Sequence, residues 1–407
     1  MSNQTEFNHQ TSNLGGFLLW MGAAISIAEI QTGVLLAPLG ISKGIIAILI
    51  GHIIGAITLY AAGMIGASGK LSSMESTRIS FGVYGSYGFS ILNILQLLGW
   101  TAIMIIDAAD ALDEITRTIW HFQNVALWCV LIGAFIVIWI LLGLQNLSKV
   151  NIVVVGLLFV LCIVLGFIVF SSKLTGTFEQ QPLSFGAGVE LNVTMSLSWL
   201  PLIADYTRYV KHPKAGTGAS VLGYFAGSML MFTIGLGAAI YSKTSDISAI
   251  LMSTGLGIVA LMIVIFSTVT TTFMDVYSAG VSAVNLHPKI NANVVALSTC
   301  IMGAFLAIMV PMSQYENFLY WIGSVFSPLF AILLADYFLS GEKRIDSKRL
   351  LNLKNTVLWI VGVVIYRLLL LYNSPIGVTL PVMVMIGILC LLVNGGIRLW
   401  NKKFQNL

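Results

Sequence analysis

Runs of about 20 apolar residues, each almost free of charge, recur from Gly16 nearly to the end of this 407-residue chain. Each is as long as a helix needs to be to cross the hydrocarbon of a bilayer. Lipid offers the backbone no hydrogen-bond partners, so such runs fold as helices. Twelve are found, near Gly16–Leu39, Gly44–Ser68, Tyr87–Leu112, Asn124–Leu144, Asn151–Phe170, Leu191–Tyr209, Ala219–Tyr241, Ile250–Phe273, Asn293–Met312, Phe318–Leu339, Thr356–Leu371 and Ile376–Ile397. Only 9% of the residues are charged against 57% apolar, whereas a water-soluble domain carries roughly a quarter charged residues. The expected fold class is an all-α integral membrane protein with 12 transmembrane helices in one membrane domain. The first thirteen residues are polar and lack the basic start of a secretory signal, so the first run is expected to stay as a helix with nothing cleaved.

Orientation follows from the basic residues. With the N-terminus inside, only Lys43, Arg117, Lys173 and Lys243 of the 20 Lys and Arg fall outside, and Arg367 lies within a helix. That asymmetry predicts both termini in the cytoplasm, with the chain in the inner or plasma membrane. The net charge of +4 is then a topology signal, because the basic residues are spread over short loops and form no tract suited to nucleic acid. Cys129, Cys162, Cys300 and Cys390 all fall in apolar runs without CxxC spacing, so neither a zinc site nor a disulfide framework is suggested.

Glu29 sits near the middle of the first run, where a carboxylate costs at least ~2.5 kcal/mol and normally faces a bundle interior or an aqueous pathway. The first and sixth runs share a peculiarity. Each places polar or helix-breaking residues at mid-depth, Ala28 to Gly33 in one and Ser196 to Pro201 in the other. Interrupted helices at matching places in two five-helix halves suggest an inverted-repeat transporter with its substrate site at the breaks. In the third run Gln96, Trp100 and Asp107 share one helix face, and in the eighth Ser267, Thr270, Thr271 and Ser278 gather on one side with Asp275 close by. Oxygens at that density can replace the water around a hard monovalent cation.

The segments AILIGHIIGAITLYAAGMIGASG, SSMESTRISFGVYGS, LQLLGW, SWLPLIADYTRYVKHP, TVTTTFMDVYSAG and PLFAILLADYFL together resemble the nucleobase-cation symporter family of purine, cytosine, hydantoin and allantoin permeases. Within that family they are most similar to the subgroup described as hydroxymethylpyrimidine transporters. The resemblance implies a LeuT-type ten-helix core of two inverted five-helix repeats with broken helices 1 and 6, followed by two extra helices. It implies a cytoplasmic tail over 1–15, a core over 16–339 with repeats over about 16–170 and 191–339, and a loop, two helices and cytoplasmic C-terminus over 340–407. It also implies alternating access carrying a flat heterocycle with Na+ or H+. Trp100 and Trp199 would stack on the substrate, with Gln96 and Ser198 beside them, and Glu29 stands where some relatives have glutamine. Sodium would take main-chain carbonyls of Ile25, Ala28 and Ser267 and the hydroxyls of Thr270 and Thr271. One departure is the reading Thr272-Phe273-Met274-Asp275 where relatives place asparagines, so an amide contact to the base is missing or supplied otherwise.

An aromatic base offers two faces for indoles, at roughly 1 kcal/mol per aromatic pair beyond burial. Its edge offers donors to a carboxylate, whose charge-assisted two-point bonds are about twice as strong as neutral ones. On this reading Glu29 reads the edge of an aminopyrimidine, in preference to a uracil. The alternatives are a structural acid, or a carboxyl that carries the coupling proton. For the two tryptophans the alternative is ordinary bundle packing or an interface anchor, and for the threonines a bond back to the preceding helical turn. Asp107, Asp110, Asp205, Asp275, Asp336 and Arg367 read first as structural, with Asp275 also kept among the substrate-binding candidates. His52 reads as packing.

The expected function is therefore import of a pyrimidine-type heterocycle by a cation symporter, with a cytosine or purine permease as the alternative. No cofactor is expected, a monomer should suffice, and the partners are a small heterocycle and the bilayer. A channel is disfavoured by the lack of a repeated pore-loop motif. An enzyme or an ATP-driven pump is disfavoured by the lack of HExxH, GxSxG or P-loop patterns.

Overall fold

The structure is a computed structural model that describes residues 10–142, 182–243, 257–309, 314–372 and 374–405, with short pieces between 156 and 171. The fifth expected span, near Asn151–Phe170, lies largely outside the described residues, as does most of the N-terminal tail. The described helices are α1 (Asn13–Ala24), α2 (Ile27–Leu35), α3 (Gly40–Gly69), α4 (Ser73–Ser76), α5 (Arg78–Trp120), α6 (Val125–Leu142), α7 (Phe185–Leu197), α8 (Leu200–Thr207), α9 (Pro213–Ser242), α10 (Gly257–Leu286), α11 (Ala292–Met309), α12 (Tyr315–Leu334), α13 (Leu353–Leu369) and α14 (Thr379–Gln405). Five helical stretches, Ile27–Gly69, Arg78–Trp120, Pro213–Ser242, Ala292–Met309 and Tyr315–Leu339, are long and apolar enough to cross a membrane, and α6 and α14 contain shorter apolar segments.

Two spans are broken. The first divides at Ile25 (φ −78°, ψ 83°) and Ser26 (φ −141°, ψ 160°), just ahead of the Ala28 to Gly33 stretch expected to carry the break. The correction has a local cause. Ser26 accepts the Glu29 N–H on its hydroxyl at 3.3 Å and so starts a new helix. Thr32 meanwhile satisfies itself by donating back to Ala28 O at 2.8 Å, leaving the ladder through Ala28–Gly33 intact.

The sixth span divides at Ser198 and Trp199, inside the expected stretch. Pro201 has no N–H to give, and the Leu202 N–H bonds Trp199 O at 3.1 Å, so Ser198 O loses its helical donor. Gln96 of α5 supplies one, its Nε2 donating to Ser198 O at 2.9 Å, and Asn93 Nδ2 donates to Pro201 O at 3.1 Å.

The broken spans pack reciprocally, α1 and α2 against α9, and α7 and α8 against α3. Each break thus leans on the second helix of the opposite half, as two interlocked inverted repeats require. Small residues allow the approach. A Cβ on Gly223 or Gly235 of α9 would come within 2.1 Å of Phe17 O or 2.0 Å of Ile30 O, the close backbone contact that membrane helices use in place of a hydrophobic drive.

Most of the buried acids hold the scaffold. Asp205 Oδ1 accepts the Ser73 N–H at 2.9 Å while Ser73 Oγ accepts the Ala204 N–H at 2.9 Å, which seats α4 under α8. Lys70 Nζ donates to Arg208 O at 2.9 Å and to Val210 O at 3.2 Å beyond the end of the same helix. Asp336, in the π-turn Ala335–Leu339 that ends the tenth span, accepts from Asn355 Nδ2 at 2.9 Å and Asn394 Nδ2 at 2.7 Å. Glu190, which reads from sequence as part of a loop, is 2% exposed in α7. It accepts from Tyr366 Oη at 2.5 Å, Val378 N at 2.6 Å, Thr379 N at 2.8 Å and Thr379 Oγ1 at 2.7 Å. An anion on the N-terminus of α14 staples the last span to the core.

Candidate functional site

A narrow cleft, with room for about one water molecule, lies where the two breaks meet α5 and α10. Trp100 and Trp199 line it, with Met104 and Met195 as apolar wall and Ser26, Ser198, Thr271 and Asp275 as polar wall. Helix periodicity explains the grouping. On α5, Gln96, Trp100 and Met104 recur every four residues, and on α10 so do Ser267, Thr271 and Asp275. The structure therefore brings the substrate candidates Trp100, Ser198, Trp199 and Asp275 together with Thr271, which the sequence reading assigned to the cation site. Ser26, Met104 and Met195 were missed.

Each indole is braced from behind. Trp100 meets Phe318 at 5.4 Å and Tyr315 at 6.1 Å between ring centroids, both edge-to-face. Trp199 meets Trp20 at 5.3 Å and Tyr224 at 6.0 Å, again edge-to-face. Both are 5% exposed, and both bury Nε1 without a hydrogen-bond partner among the described residues. These indoles are packed to present a surface to the cavity, which answers the lipid-anchor alternative. Gln96 is fully buried but holds the sixth-span break and does not line the cavity.

Glu29 is placed elsewhere. Its Oε1 accepts from Tyr224 Oη at 3.1 Å and its Oε2 lies 2.5 Å from Ser228 Oγ, both on α9. The carboxylate therefore points from α2 toward α9 and is not in the cavity wall. His52 is not simple packing either. Its Nε2 lies 2.7 Å from the same Ser228 Oγ, and its Nδ1 is 2.8 Å from Ile48 O. Asp275, 4% exposed, is the carboxyl that lines the cavity.

The oxygen-rich face of α10 meets the first-span break. Thr271 Oγ1 donates to Ala23 O at 3.2 Å, Thr270 Oγ1 donates to Ser267 O at 3.0 Å, and Ser267 Oγ is buried without a partner among the described residues. Ile25 sits at the break, where its carbonyl leaves the regular ladder. Ala28 does not: its carbonyl, inside α2, accepts from Thr32 Oγ1 at 2.8 Å and Tyr315 Oη at 3.2 Å. The first-span carbonyl that the structure aims at α10 is that of Ala23. The break lies ahead of Ala28, so the carbonyls freed from the helical ladder lie ahead of it too.

Broken helices with a small aromatic cavity at their junction define a membrane carrier of the inverted-repeat kind. The chain belongs to the family described as permeases for cytosine/purines, uracil, thiamine and allantoin, whose profile matches residues 8–390. It is 24% identical over 309 residues to the cytosine permease of Escherichia coli strain K12, covering 73% of this chain and 71% of the relative. It is 22% identical over 377 residues to the hydantoin permease of Microbacterium maritypicum, covering 85% and 76%. The fold superposes on the nucleobase-cation-symport-1 transporter Mhp1, solved closed with bromovinylhydantoin bound, with a TM-score of 0.81 at 19% identity over 95% of this chain and 92% of that one. The protein is thus a multi-pass nucleobase-type permease and not an enzyme.

Proposed function

We propose that this permease imports an aminopyrimidine with a coupling cation, with hydroxymethylpyrimidine, a 4-aminopyrimidine, as the cargo the site suits best. The observation that carries the reading is Asp275: it puts a carboxyl group into a cavity walled by two indoles. In this reading the tight cleft widens to take a flat ring between Trp100 and Trp199, each face stacking at roughly 1 kcal/mol beyond burial. Its amino group then donates to Asp275 while a proton shared between the carboxyl and the adjacent ring nitrogen closes a two-point, charge-assisted contact, with Ser26 and Ser198 available to a hydroxyl substituent. Uracil offers carbonyls where Asp275 needs donors and is disfavoured, because a buried acceptor facing an acceptor is left unpaired.

Sodium is proposed as the coupling ion, held by Thr270 and Thr271 with carbonyls of Ser267 and the first-span break at Ala23 and Ile25. Hard cations take oxygen ligands, and this junction supplies them. The basic-residue asymmetry supports cytoplasmic termini, and the residues lining the cleft come from a single chain. The hydantoin and cytosine permeases among its relatives support a heterocyclic cargo.

The test is uptake of labelled hydroxymethylpyrimidine into proteoliposomes, competed by cytosine, adenine, uracil and thiamin. Molecules that present an amino group beside a ring nitrogen should compete and uracil should not. Equal competition by uracil would refute the Asp275 reading.

A further inference from the structure

A second hollow opens where the end of the tenth span separates from α14, and it shares no lining residue with the cargo cleft. It holds about 400 Å³, and all its wall residues are apolar. Buried small residues, Ala331 and Ala335, form its floor with Gly387 opposite. The tenth span closes on the π-turn Ala335–Leu339, with the Ser340 N–H on Ala335 O at 2.9 Å. That wide turn carries Asp336 inward to Asn355 and Asn394 and leaves Phe338 and Leu339 46% and 70% exposed on the rim.

The mouth of the hollow is basic. The chain leaves the π-turn through Gly341 at φ +74°, and the Glu342 N–H returns to Asp336 O at 2.9 Å, so the following loop lies against the helix end. Lys343 Nζ is 5.8 Å from the centroid of the Tyr337 ring, which packs edge-to-face on Phe338 of the rim at 4.9 Å. Lys343 and Arg344 are exposed, and the adjacent acid Glu342 is engaged by Arg349 Nη1 at 3.2 Å. Over residues 340–352 four basic side chains stand against two acidic ones. The loop is also held in place from the far side. Val83 and Tyr84 N–H of α5 donate to Arg349 O at 3.2 Å and Leu350 O at 2.8 Å, and Asn352 N–H donates to Phe81 O at 2.9 Å.

We infer that the hollow and this loop together bind one anionic phospholipid, an acyl chain lying between the tenth span and α14 and the phosphate meeting Lys343 and Arg344. An apolar trough with an ammonium and a guanidinium at its membrane-surface end matches both halves of such a molecule, and basic clusters at the ends of membrane helices select acidic headgroups. A zwitterionic lipid fills the trough equally well but brings a cation of its own to the bases. A second copy of this chain is a poorer occupant. In a two-fold contact each patch meets itself, so Lys343 and Arg344 would face their own like charges.

The two halves of the site can be perturbed separately. A basic residue at the membrane surface strengthens anionic-lipid binding about fivefold, so Lys343→Gln with Arg344→Gln removes a factor of about 25. The trough is filled by Gly387→Leu. A Cβ there meets nothing nearer than Ala331 O at 4.0 Å, so the backbone accepts the larger residue and its side chain takes the space of the acyl chain.

The inference is independent of cargo and coupling ion, so its test uses neither. Purified full-length protein in detergent, with folding followed by gel filtration, receives phosphatidylglycerol and phosphatidylcholine of identical chains, and native mass spectrometry counts what is retained. Wild type should keep one phosphatidylglycerol in preference to phosphatidylcholine. The double glutamine variant should lose that preference about 25-fold, and Gly387→Leu should lose bound lipid of both kinds. Lys289→Gln, which removes an exposed base from the α10–α11 loop, should change nothing. Glycerol phosphate, a headgroup without chains, should not displace the lipid; displacement by it would mean a site for free phosphate and overturn the lipid assignment. Equal retention of the two lipids by wild type, or a loss with Lys289→Gln as large as at the mouth, would overturn it too. So would a dimer that Gly387→Leu dissociates, because the hollow would then be an interface between copies.

Discussion

Replacing Asp275 by asparagine isolates the contact on which the cargo assignment rests. The side chains are isosteric, so the cavity walls of Trp100, Trp199, Met104 and Met195 stay in place. The carboxylate's two acceptors become one acceptor and one donor. A hydrogen bond to a charged group contributes about 1.5–3 kcal/mol. The amide still accepts from the amino group and donates to the unprotonated ring nitrogen, so what is lost is the charge assistance; at about 1.4 kcal/mol per tenfold this should weaken aminopyrimidine binding on the order of tenfold. The amide also presents a donor to a carbonyl edge, so uracil should gain affinity as the aminopyrimidine loses it.

Titration of purified protein by the quenching of tryptophan fluorescence reads both changes directly. Asp107→Asn is the matched control, because Asp107 is also buried on the Trp100 helix but does not line the cavity; its affinity should stay within about twofold. If Asp275→Asn binds aminopyrimidine as tightly as wild type, the carboxylate does not read the ring edge. The indoles would then select by shape alone.

Two further perturbations probe other parts of the machine. Glu190→Ala leaves the Val378 and Thr379 N–H groups and the Tyr366 hydroxyl without their acceptor, at about 1–3 kcal/mol for each buried orphan. Thermal unfolding followed by fluorescence gel filtration should show a loss of several degrees, smaller for Glu190→Gln, and an unchanged midpoint would remove the staple from the account of the fold. Thr270→Ala with Thr271→Ala should abolish sodium stimulation of substrate binding, and Thr270→Ala alone, which leaves the cavity wall untouched, should weaken that stimulation with sodium-free binding intact; persistent stimulation in the double variant would exclude these hydroxyls as ligands.

The spans were legible because lipid imposes one length and one kind of secondary structure, and the apolar runs report both. Trp100 was legible on a helix face with Gln96, because a spacing of four residues is geometry written into the sequence, whereas Trp199 came from the family resemblance and Asp275 read first as structural. What escaped notice was pairing across the fold. Ser228 lies 176 residues from His52 and 199 from Glu29, and nothing local to a single histidine in an apolar run announces such a partner. The first-span break did carry a signal that was not used. Ser26-Ile27-Ala28-Glu29 has the spacing of a helix start, and the structure uses its first half: Ser26 caps the Glu29 N–H while the glutamate side chain, free of reciprocal capping, turns to α9. Counting polar residues drew attention to Ala28–Gly33; reading the capping residue would have placed the break correctly.

The two breaks are unequal, and the inequality bears on coupling. Ser198 and Trp199 keep right-handed helical angles and are tied to α5 through Gln96 and Asn93. Ile25 and Ser26 leave the helical region, Ser26 fully extended. Ser26 lines the candidate cavity, Ala23 just before it accepts from Thr271 of the oxygen-rich face, and the Ser26 hydroxyl holds the Glu29 N–H at the head of α2. A shift of a few tenths of an ångström at this dipeptide changes contacts at all three places, since a helix such as α2 moves as a rigid rod. The α7–α8 junction has fewer ways to yield, so the stiff break serves as the frame against which the pliant one moves. On the proposed reading, cargo and cation would act on each other without touching, each biasing the same two backbone residues.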